Sequence, residues 1–309
     1  MGLLVHGQWV DQGYDTSATG GAFQRTVTTY RHKISPGGEF PPEAGRYHLF
    51  VSLACPWAHR TLILRTLKTL ESVITSSVVD PLMLEQGWTF TPADKLTGAT
   101  RLYEVYLKDD AQTSGRVTVP VLWDKHQGCI VNNESAEIIR ILNHAFDAFT
   151  DVRQDFAPAH LLPEIDRINA RVYDDINNGV YKAGFATAQN PYDKAIATLF
   201  AALDWVEGLL TERPWLAGDV LTETDIRLFT TMIRFDKVYY GHFKCDWKHA
   251  YEYPHIWRLV RRIYNLPGVA ATVRFDEIRQ HYYGSHKTIN PSGLVPKGPN
   301  LDLSPIEAT

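Results

Sequence analysis

The chain has 309 residues, of which 44% are hydrophobic and 21% are charged, and its formal net charge is −4. This length suits about two domains of ~150 residues, and the composition excludes an intrinsically disordered protein. The small negative charge predicts no affinity for nucleic acid or for an anionic membrane surface, and no apolar run approaches the ~20 residues of a membrane span.

The cysteines and the first residues indicate the compartment. Cys55, Cys129 and Cys245 are far apart and odd in number, so they do not predict a disulfide framework. The opening MGLLVHGQWVDQ lacks the basic start and the long apolar core of a secretory signal. Because unpaired thiols are typical of a reducing compartment, we expect a cytoplasmic protein.

The first half of the chain predicts an irregular segment followed by an α/β domain. Residues 1–40 are polar and rich in Gly and Thr, which is typical of an extension without a core of its own. RYHLFVSL and SVITSSVV predict two strands, separated by a helix over AHRTLILRTLKTL. A short helix near LYEVYL, the strands VTVPVLWD and CIVN, and a helix opened by Glu134 and Ser135 follow. This β-α-β-α-β-β-α order predicts a small layered α/β domain over residues 41–146.

The second half predicts helices and no convincing strand. One apolar stripe at helical spacing runs from Ile165 to Ile176 and is expected to end at the Asn-Asn-Gly of 177–179. Another helix is expected to begin near Pro191. We therefore expect a linker over 147–163, an all-helical domain over 164–283 and a coil tail over 284–309.

Cys55 has the setting of a reactive thiol. It lies between a predicted strand and a predicted helix, and Pro56 suits the first helical turn because it has no N–H to leave unpaired. A sulfur at this position faces the unpaired N–H groups and the positive end of the helix dipole, which lowers the thiol pKa and favours the nucleophilic thiolate. A buried structural cysteine is the alternative. Strand–Cys-Pro–helix is, however, how thioredoxin-like folds present a redox thiol.

The residues after Cys55 indicate how an oxidised Cys55 would be returned to the thiol. A dithiol enzyme has a second cysteine at position 58, but this chain has Ala58. A mixed disulfide on Cys55 must therefore be resolved by an external thiol, for which cytosolic glutathione is the obvious source. His59 is predicted to lie on the helix surface, and no set of Cys, His and carboxylate residues completes a zinc site, so we expect no metal.

Two dipeptides could hold glutathione. At Val119–Pro120, a cis bond would expose the Val119 backbone to an extended peptide, and a simple proline at a strand start is the alternative. Glu134–Ser135 lies at a helix N-terminus, which suits a carboxylate ligand, although Ser135 could be an ordinary cap. Arg116 could bind a carboxylate or be solvated, and Trp88 could cover a ligand or fill a core.

The order of thiol, Val-Pro and Glu-Ser resembles the glutathione site of the glutathione transferase superfamily. The capping box from Thr222 to Asp225 agrees, because in that superfamily such a box starts a buried helix of the C-terminal domain. Over nearly the whole chain the resemblance is to the xi class, the glutathionyl-hydroquinone reductases, although CPWA alone also suits omega-class thioltransferases. The segments that carry it are CPWAHR (55–60), GWTF (87–90), RVTVPVLWD (116–124), NNESAEIIR (132–140), NNGVYKAGFA (177–186) and QHYYGSHKTINPSGLVPKGP (280–299).

The resemblance implies a thioredoxin-like N-terminal domain followed by a helical glutathione-transferase domain. It implies glutathione-dependent reduction of glutathionylated aromatic hydroquinones through a Cys55–glutathione mixed disulfide, and a homodimer. Tyr283 could be mistaken for Tyr282, and Tyr240 and Tyr173 are further candidates for the same pocket. The implied roles are Cys55 as nucleophile, Tyr181 and Tyr282 facing the aromatic substrate, and Trp88, Arg116, Val119, Glu134 and Ser135 holding glutathione.

Two other functions stay open from the sequence. An omega-like thioltransferase or dehydroascorbate reductase would use Cys55 on disulfides and would not need the tyrosines. A non-catalytic glutathione-fold binding protein is the other, since a fold does not determine a function. An unreactive Cys55 would favour this last alternative.

Overall fold

The computed structural model describes residues 2–306, which divide into two compact units. The first unit consists of the chain up to Gly13 together with Thr26–Gln154, and the second consists of Tyr14–Arg25 and the chain from Asp155 onward. None of the helices in the described range has both the length and the hydrophobicity to cross a membrane. The first unit contains, in chain order, β1 (Leu3–Val5), β2 (Gln8–Val10), β3 (Tyr47–Val51), α1 (Pro56–Leu67), β4 (Thr75–Val78), α2 (Leu102–Asp109), β5 (Gly115–Arg116), β6 (Val121–Asp124), β7 (Cys129–Asn132) and α3 (Ser135–His144).

The main sheet of the first unit has the strand order β4–β3–β6–β7. β3 and β4 are parallel, with His48 opposite Thr75, because α1 forms the crossover between them. β6 is antiparallel to β3 and to β7, which follows it directly. Every residue of β3 is buried, as expected for a strand covered on both faces. The predicted order of strands and helices is confirmed.

The first residues are more regular than the sequence predicted. β1 and β2 form a hairpin whose two-residue turn, His6–Gly7, has positive φ at both positions (46° and 76°), as a tight hairpin turn requires. β1 also pairs with β5, giving a second sheet of order β2–β1–β5. The prediction of an irregular segment is wrong here, because the partner strand lies more than 100 residues away and each strand is only three residues long.

The second unit contains helices and no β-strand within its described residues. Its most buried helix, α7, has all twelve residues buried and starts with the predicted capping box. The Asp225 carboxylate accepts hydrogen bonds from Thr222 N (2.9 Å) and Leu216 N (2.8 Å), and burial raises the pKa of Asp225 to about 6. The helices are α4 (Leu162–Arg171), α5 (Gly179–Gly184), α6 (Gln189–Glu212), α7 (Glu223–Arg234), α8 (Tyr240–His242), α9 (Pro254–Tyr264) and α10 (Phe275–Ser285).

The helical path does not end at 177–179 as predicted. A π-helical stretch, Val172–Asn177, joins α4 to α5. The side chain of Asn177 donates to the Arg227 carbonyl (3.0 Å) and to the Thr231 hydroxyl (2.7 Å), so it bonds to α7 and does not cap its own helix. Gly179 packs where a Cβ would lie 3.4 Å from Leu199 of α6. Its role is close helix packing, which the sequence pattern does not distinguish from a helix stop.

Candidate active site

Cys55 occupies the predicted junction between β3 and α1. It is the N-cap residue of α1, with extended backbone angles (φ −75°, ψ 122°), and Pro56 is the first residue of the helix. The thiol is partly exposed and forms no disulfide. Its Sγ donates to the carbonyl oxygen of Val119 at 3.6 Å. The structure therefore brings together the sulfur and one of the two dipeptides that the sequence singled out.

The Val119–Pro120 peptide bond is cis, and Pro120 directly precedes β6. The backbone just before it is held by Tyr106, whose hydroxyl donates to the Thr118 carbonyl (2.9 Å) and accepts from the Thr118 N–H (3.3 Å). Tyr106 is itself almost fully buried in α2. The chain around Val119 is thus fixed by a buried side chain, next to the cysteine sulfur.

Glu134 and Ser135 form the start of α3. Glu134, and not Ser135, is the cap: its Oε1 accepts from Ala136 N at 3.0 Å, while its own N–H donates to Asn132 Oδ1 at 2.7 Å. Ser135 is the first helical residue and is only 2% exposed. Its hydroxyl oxygen accepts a hydrogen bond from the Arg60 guanidinium at 3.2 Å. The interpretation of Ser135 as an ordinary cap is therefore wrong.

Arg116 and Trp88 both lie in or beside segments that contact the N-terminal hairpin: Arg116 ends β5, which pairs with β1, and Trp88 follows Gly87, which lies against Trp9. The Arg116 guanidinium donates to the backbone carbonyls of Gln12 and Gly13, the latter at 2.7 Å, so it is not simply solvated. It lines a groove of about 210 Å³. Trp88 is buried, with 6% of its surface exposed. Most of this side chain therefore fills the interior of the unit.

The loop before Trp88 depends on a close approach of Trp9. Gly87 has a φ of 67°, and a Cβ there would lie 2.7 Å from the Trp9 ring. Trp9 also donates from its indole nitrogen to the Glu85 carbonyl (2.9 Å) and stacks on Tyr103 at a centroid distance of 4.8 Å. Glycine at position 87 is needed for both the backbone angle and the space.

His59 is fully buried, so its prediction as a helix-surface residue is wrong. α1 packs against α3 on one side and follows the covered strand β3, which leaves eight of its residues buried. The helical spacing of Ile63 and its neighbours gave only one apolar face, but polar residues of α1 are enclosed as well. Among residues 2–306, no group of three or more His, Cys, Asp and Glu side chains is arranged to hold a metal ion.

The second unit gathers three tyrosine hydroxyl groups. The hydroxyl oxygens of Tyr181 and Tyr282 lie 2.5 Å apart, and those of Tyr282 and Tyr239 lie 2.9 Å apart. Tyr282 is 1% exposed, Tyr239 is fully buried and Tyr181 retains 9% exposure. Tyr283 instead lies against the His242 ring, at a centroid distance of 4.7 Å. Of the two adjacent tyrosines in α10, Tyr282 is therefore the one that contacts Tyr181.

The surroundings of Tyr282 keep its proton in place. Burial, reinforced by the neighbouring Tyr181 and Tyr239, raises the pKa of Tyr282 well above its ordinary value of about 10. Tyr282 is therefore a neutral hydroxyl group at physiological pH. The Arg25 guanidinium lies 5.0 Å from the centre of the Tyr181 ring, within cation–π range, and also donates to Asn178 Oδ1 at 2.7 Å.

Tyr239 was missed in the sequence because of a change of helical phase. It ends a second π-helical stretch, Phe235–Tyr239, which joins α7 to α8. A π turn takes in one residue more than an α turn, so apolar spacing at the α-helical period does not carry through it. Tyr239 points inward, whereas Tyr240, the residue considered from the sequence, stacks on the His249 ring at 3.7 Å.

The chain is similar to known proteins over nearly its whole length. The family models described as the N-terminal and C-terminal domains of glutathione S-transferase match residues 54–145 and 188–262. The chain is 52% identical to a glutathionyl-hydroquinone reductase of Sphingobium chlorophenolicum, covering 98% of both chains, and 53% identical to one of Escherichia coli K12, covering 98% of this chain and 97% of that one.

Solved structures extend the likeness to three dimensions. The chain is similar to the glutathione-bound structure of a glutathione transferase homologue from Escherichia coli K-12, with a TM-score of 0.86 and 52% identity over 89% of this chain and 94% of that chain. It is also similar to a xi-class glutathione transferase from Natrialba magadii, with a TM-score of 0.93 and 45% identity over 99% and 96% of the two chains.

Proposed function

The chain belongs to the xi class of glutathione transferases, the glutathionyl-hydroquinone reductases, and we propose that it reduces glutathionylated aromatic hydroquinones with Cys55 as its nucleophile. The observation that carries this proposal is the single, partly exposed thiol at the start of α1, 3.6 Å from the Val119 carbonyl. Ala58 stands where a dithiol enzyme has its second cysteine. The oxidised cysteine must therefore be returned to the thiol by a second glutathione.

Glutathione, the co-substrate of the family, would bind in an extended conformation across the first unit. The Val119 backbone pairs with its cysteinyl residue, and the start of α3 receives its γ-glutamyl group. There the Glu134 carboxylate binds the ammonium group, while Ser135 and the N–H groups of the first turn bind the carboxylate. Arg116 adds positive charge beside the bound peptide, and Trp88, which retains 6% exposure, covers part of it.

The proposed reduction has two steps, formation of a Cys55–glutathione disulfide and its cleavage by a second glutathione. The Cys55 thiolate attacks the sulfur of the aryl thioether, forming a Cys55–glutathione disulfide as the carbon–sulfur bond breaks. The electron pair of that bond stays on the ring carbon, which takes up a proton and gives the free hydroquinone. A second glutathione thiolate then attacks the glutathione sulfur of the mixed disulfide, releasing oxidised glutathione and the Cys55 thiolate.

The tyrosines supply hydrogen bonds to the aromatic substrate. The three hydroxyl groups form a hydrogen-bonded chain from Tyr239 through Tyr282 to Tyr181, and the ring hydroxyl of the substrate binds at the Tyr181 end of that chain. Tyr181 retains the largest exposure of the three, which suits this direct role. Tyr282 and Tyr239 act through it as positioning residues in the conformation described here.

Replacement of the cysteine tests the proposal. Cys55→Ser is expected to lower the rate of glutathionyl-menadiol reduction by at least ~10⁴-fold, because it removes the group that forms the covalent intermediate. Glutathione affinity, measured by calorimetry, is expected to change little. Cys129→Ser is the matched control, since burial raises the pKa of that thiol to about 11 and leaves it unreactive. Retained turnover in Cys55→Ser would refute the proposal.

We further propose the domain boundaries expected from the sequence, with the thioredoxin-like domain over 41–146 and the helical domain over 164–283.

Family membership also leads us to propose that the protein is a homodimer, that it works in the cytoplasm and that it needs no metal. Light scattering after size exclusion measures the dimer directly, and a monomer mass at working concentration would contradict it. Unchanged turnover after dialysis against a chelator is expected.

A further inference from the structure

The two residues proposed to receive the γ-glutamyl group are each held by a side chain from another element. Glu134 Oε1 accepts from Ala136 N within α3, and its Oε2 accepts from the Thr28 hydroxyl at 3.1 Å. The Ser135 hydroxyl accepts from Arg60 at 3.2 Å. Neither Thr28 nor Arg60 stood out in the sequence as part of a glutathione site. Both form direct hydrogen bonds with the start of α3, although they lie 75 or more residues before it in the sequence.

Thr28 is held at Glu134 by backbone pairing along β7. The His32 N–H donates to the Val131 carbonyl at 2.9 Å, and the Asn133 N–H donates to the Tyr30 carbonyl at 3.1 Å. This segment therefore lies along the edge strand of the main sheet, in register with the residues that lead into α3. This pairing fixes the position of Thr28 along the edge strand. Its hydroxyl group therefore reaches the Glu134 carboxylate and limits the rotamers of the Glu134 side chain.

Arg60 reaches Ser135 from within the interior of the first unit. It is 1% exposed, and its guanidinium lies 5.9 Å from the centre of the Trp57 ring. A guanidinium is always charged and can only donate, so Ser135 uses its oxygen as the acceptor and keeps its own proton for another partner. A buried positive charge also raises the local potential more than a solvated one, because the surrounding dielectric constant is low.

These contacts make the start of α3 complementary to a zwitterion. The γ-glutamyl end of glutathione carries an ammonium group and a carboxylate on the same carbon atom. Glu134 offers negative charge, and the adjacent Ser135 offers a hydroxyl proton backed by Arg60. We infer that Thr28 positions Glu134 for the ammonium group and that Arg60 positions Ser135 for the carboxylate, so that two separate pairs of residues recognise the two charges. This inference rests on the proposed placement of glutathione at Glu134 and Ser135.

The inference predicts a crossed pattern of ligand selectivity. Binding of S-methylglutathione is compared, by calorimetry on the full chain, with binding of its deamino and decarboxy analogues, in which the γ-glutamyl ammonium group or the carboxylate is replaced by hydrogen. The unmodified protein is expected to prefer S-methylglutathione over each analogue by about tenfold or more. Thr28→Val should reduce the preference over the deamino analogue about 3- to 10-fold and leave the other preference unchanged.

Arg60 is tested by a variant that keeps its charge. Arg60→Lys loses the planar fork that meets Ser135 and should reduce the preference over the decarboxy analogue about 3- to 10-fold, with the deamino preference unchanged. In a Ser135→Ala background the same substitution should have no further effect on selectivity, because it acts through that hydroxyl group. Thr29→Val, which alters an exposed threonine beside Thr28, is the control and should change neither preference.

Four results would overturn the inference. A uniform loss of affinity for all three ligands in Thr28→Val and Arg60→Lys would show a structural role only. Equal effects of Thr28→Val and Thr29→Val would remove the special role of Thr28. If the unmodified protein showed no preference among the ligands, the placement of glutathione would fail together with the inference, whereas intact preferences that the variants do not alter would leave that placement standing and refute the inference alone.

Discussion

The site around Cys55 and the tyrosine cluster of the second unit have opposite surroundings. Cys55 is partly exposed at the start of α1, where its Sγ meets the backbone carbonyl of Val119. The cluster is enclosed by aromatic rings, and Tyr282 is 1% exposed. The first setting suits a group that exchanges thiols with dissolved glutathione. The second suits groups that keep their protons and donate hydrogen bonds, so the difference divides the proposed chemistry between a covalent part and a polar part.

The largest effect that separates the two regions is expected from Tyr181→Phe. Loss of a positioned proton donor should lower glutathionyl-hydroquinone reduction by ~10²–10⁴-fold. Reduction of a small glutathione mixed disulfide uses only Cys55 and should stay within about twofold. Rates with both substrates measure the division directly, and Tyr283→Phe, whose ring lies against His242, is the control. Equal losses with both substrates would contradict the division, and no loss with either would favour an omega-like thioltransferase.

A smaller effect is expected when acid lowers the free energy of unfolding through His242, which lies beside the tyrosine cluster. His242 Nε2 and His286 Nδ1 lie 3.1 Å apart beside Tyr282, and burial lowers the pKa of His242 from 6.5 to about 4. Because the folded-state pKa lies below the unfolded one, the stabilising contribution of neutral His242 is complete above pH 6.5 and is lost progressively as the pH falls towards 4.

Urea unfolding at a series of pH values measures this contribution. Between pH 7 and pH 4.5 the free energy of unfolding should fall by an amount of order 2 kcal/mol that is absent in His242→Asn, which cannot take up the proton. If the free energy of unfolding depended on pH equally in the two proteins, His242 would take up a proton as readily in the folded state as in the unfolded state. The enclosed character of the cluster would then be wrong.

An effect of similar size is expected in the loop that carries Trp88. Gly87→Ala should destabilise the first unit by about 1–3 kcal/mol, because it adds both an unfavourable φ of 67° and a collision with the Trp9 ring. Gly45→Ala has a similar φ of 78° and open space around its Cβ, so it isolates the backbone effect. Free energies of unfolding for the two variants compare them. Equal values would mean that Trp9 does not constrain the loop.

The same contrast explains what could be predicted from the sequence. Cys55–Pro56 and Glu134–Ser135 are local signals of a helix start, and both helices begin where the sequence predicted. Such signals depend on a few adjacent residues and the hydrogen bonds of one helical turn. The capping box at Thr222 was predictable for the same reason.

Contacts between distant segments could not be predicted in this way. Thr28 meets Glu134 only because its segment pairs with β7, and polar composition had indicated an irregular chain there. Tyr239 turns inward only because a π-helical stretch changes the phase of the helix. His59 is buried although it lies outside the apolar stripe of α1, which packs against α3. Each case depends on tertiary packing that overrides the local pattern.

The most direct test of the account is mass spectrometry of the protein after a single turnover, first on the whole chain and then on its peptides. Reduced protein is mixed with equimolar glutathionyl-menadiol in the absence of free glutathione, then digested without reductant. The account predicts one glutathione attached per chain, on the peptide that contains Cys55, together with one equivalent of menadiol, and loss of the adduct when glutathione is added. Menadiol released without an adduct on Cys55, or an adduct located on Cys129, would contradict the account.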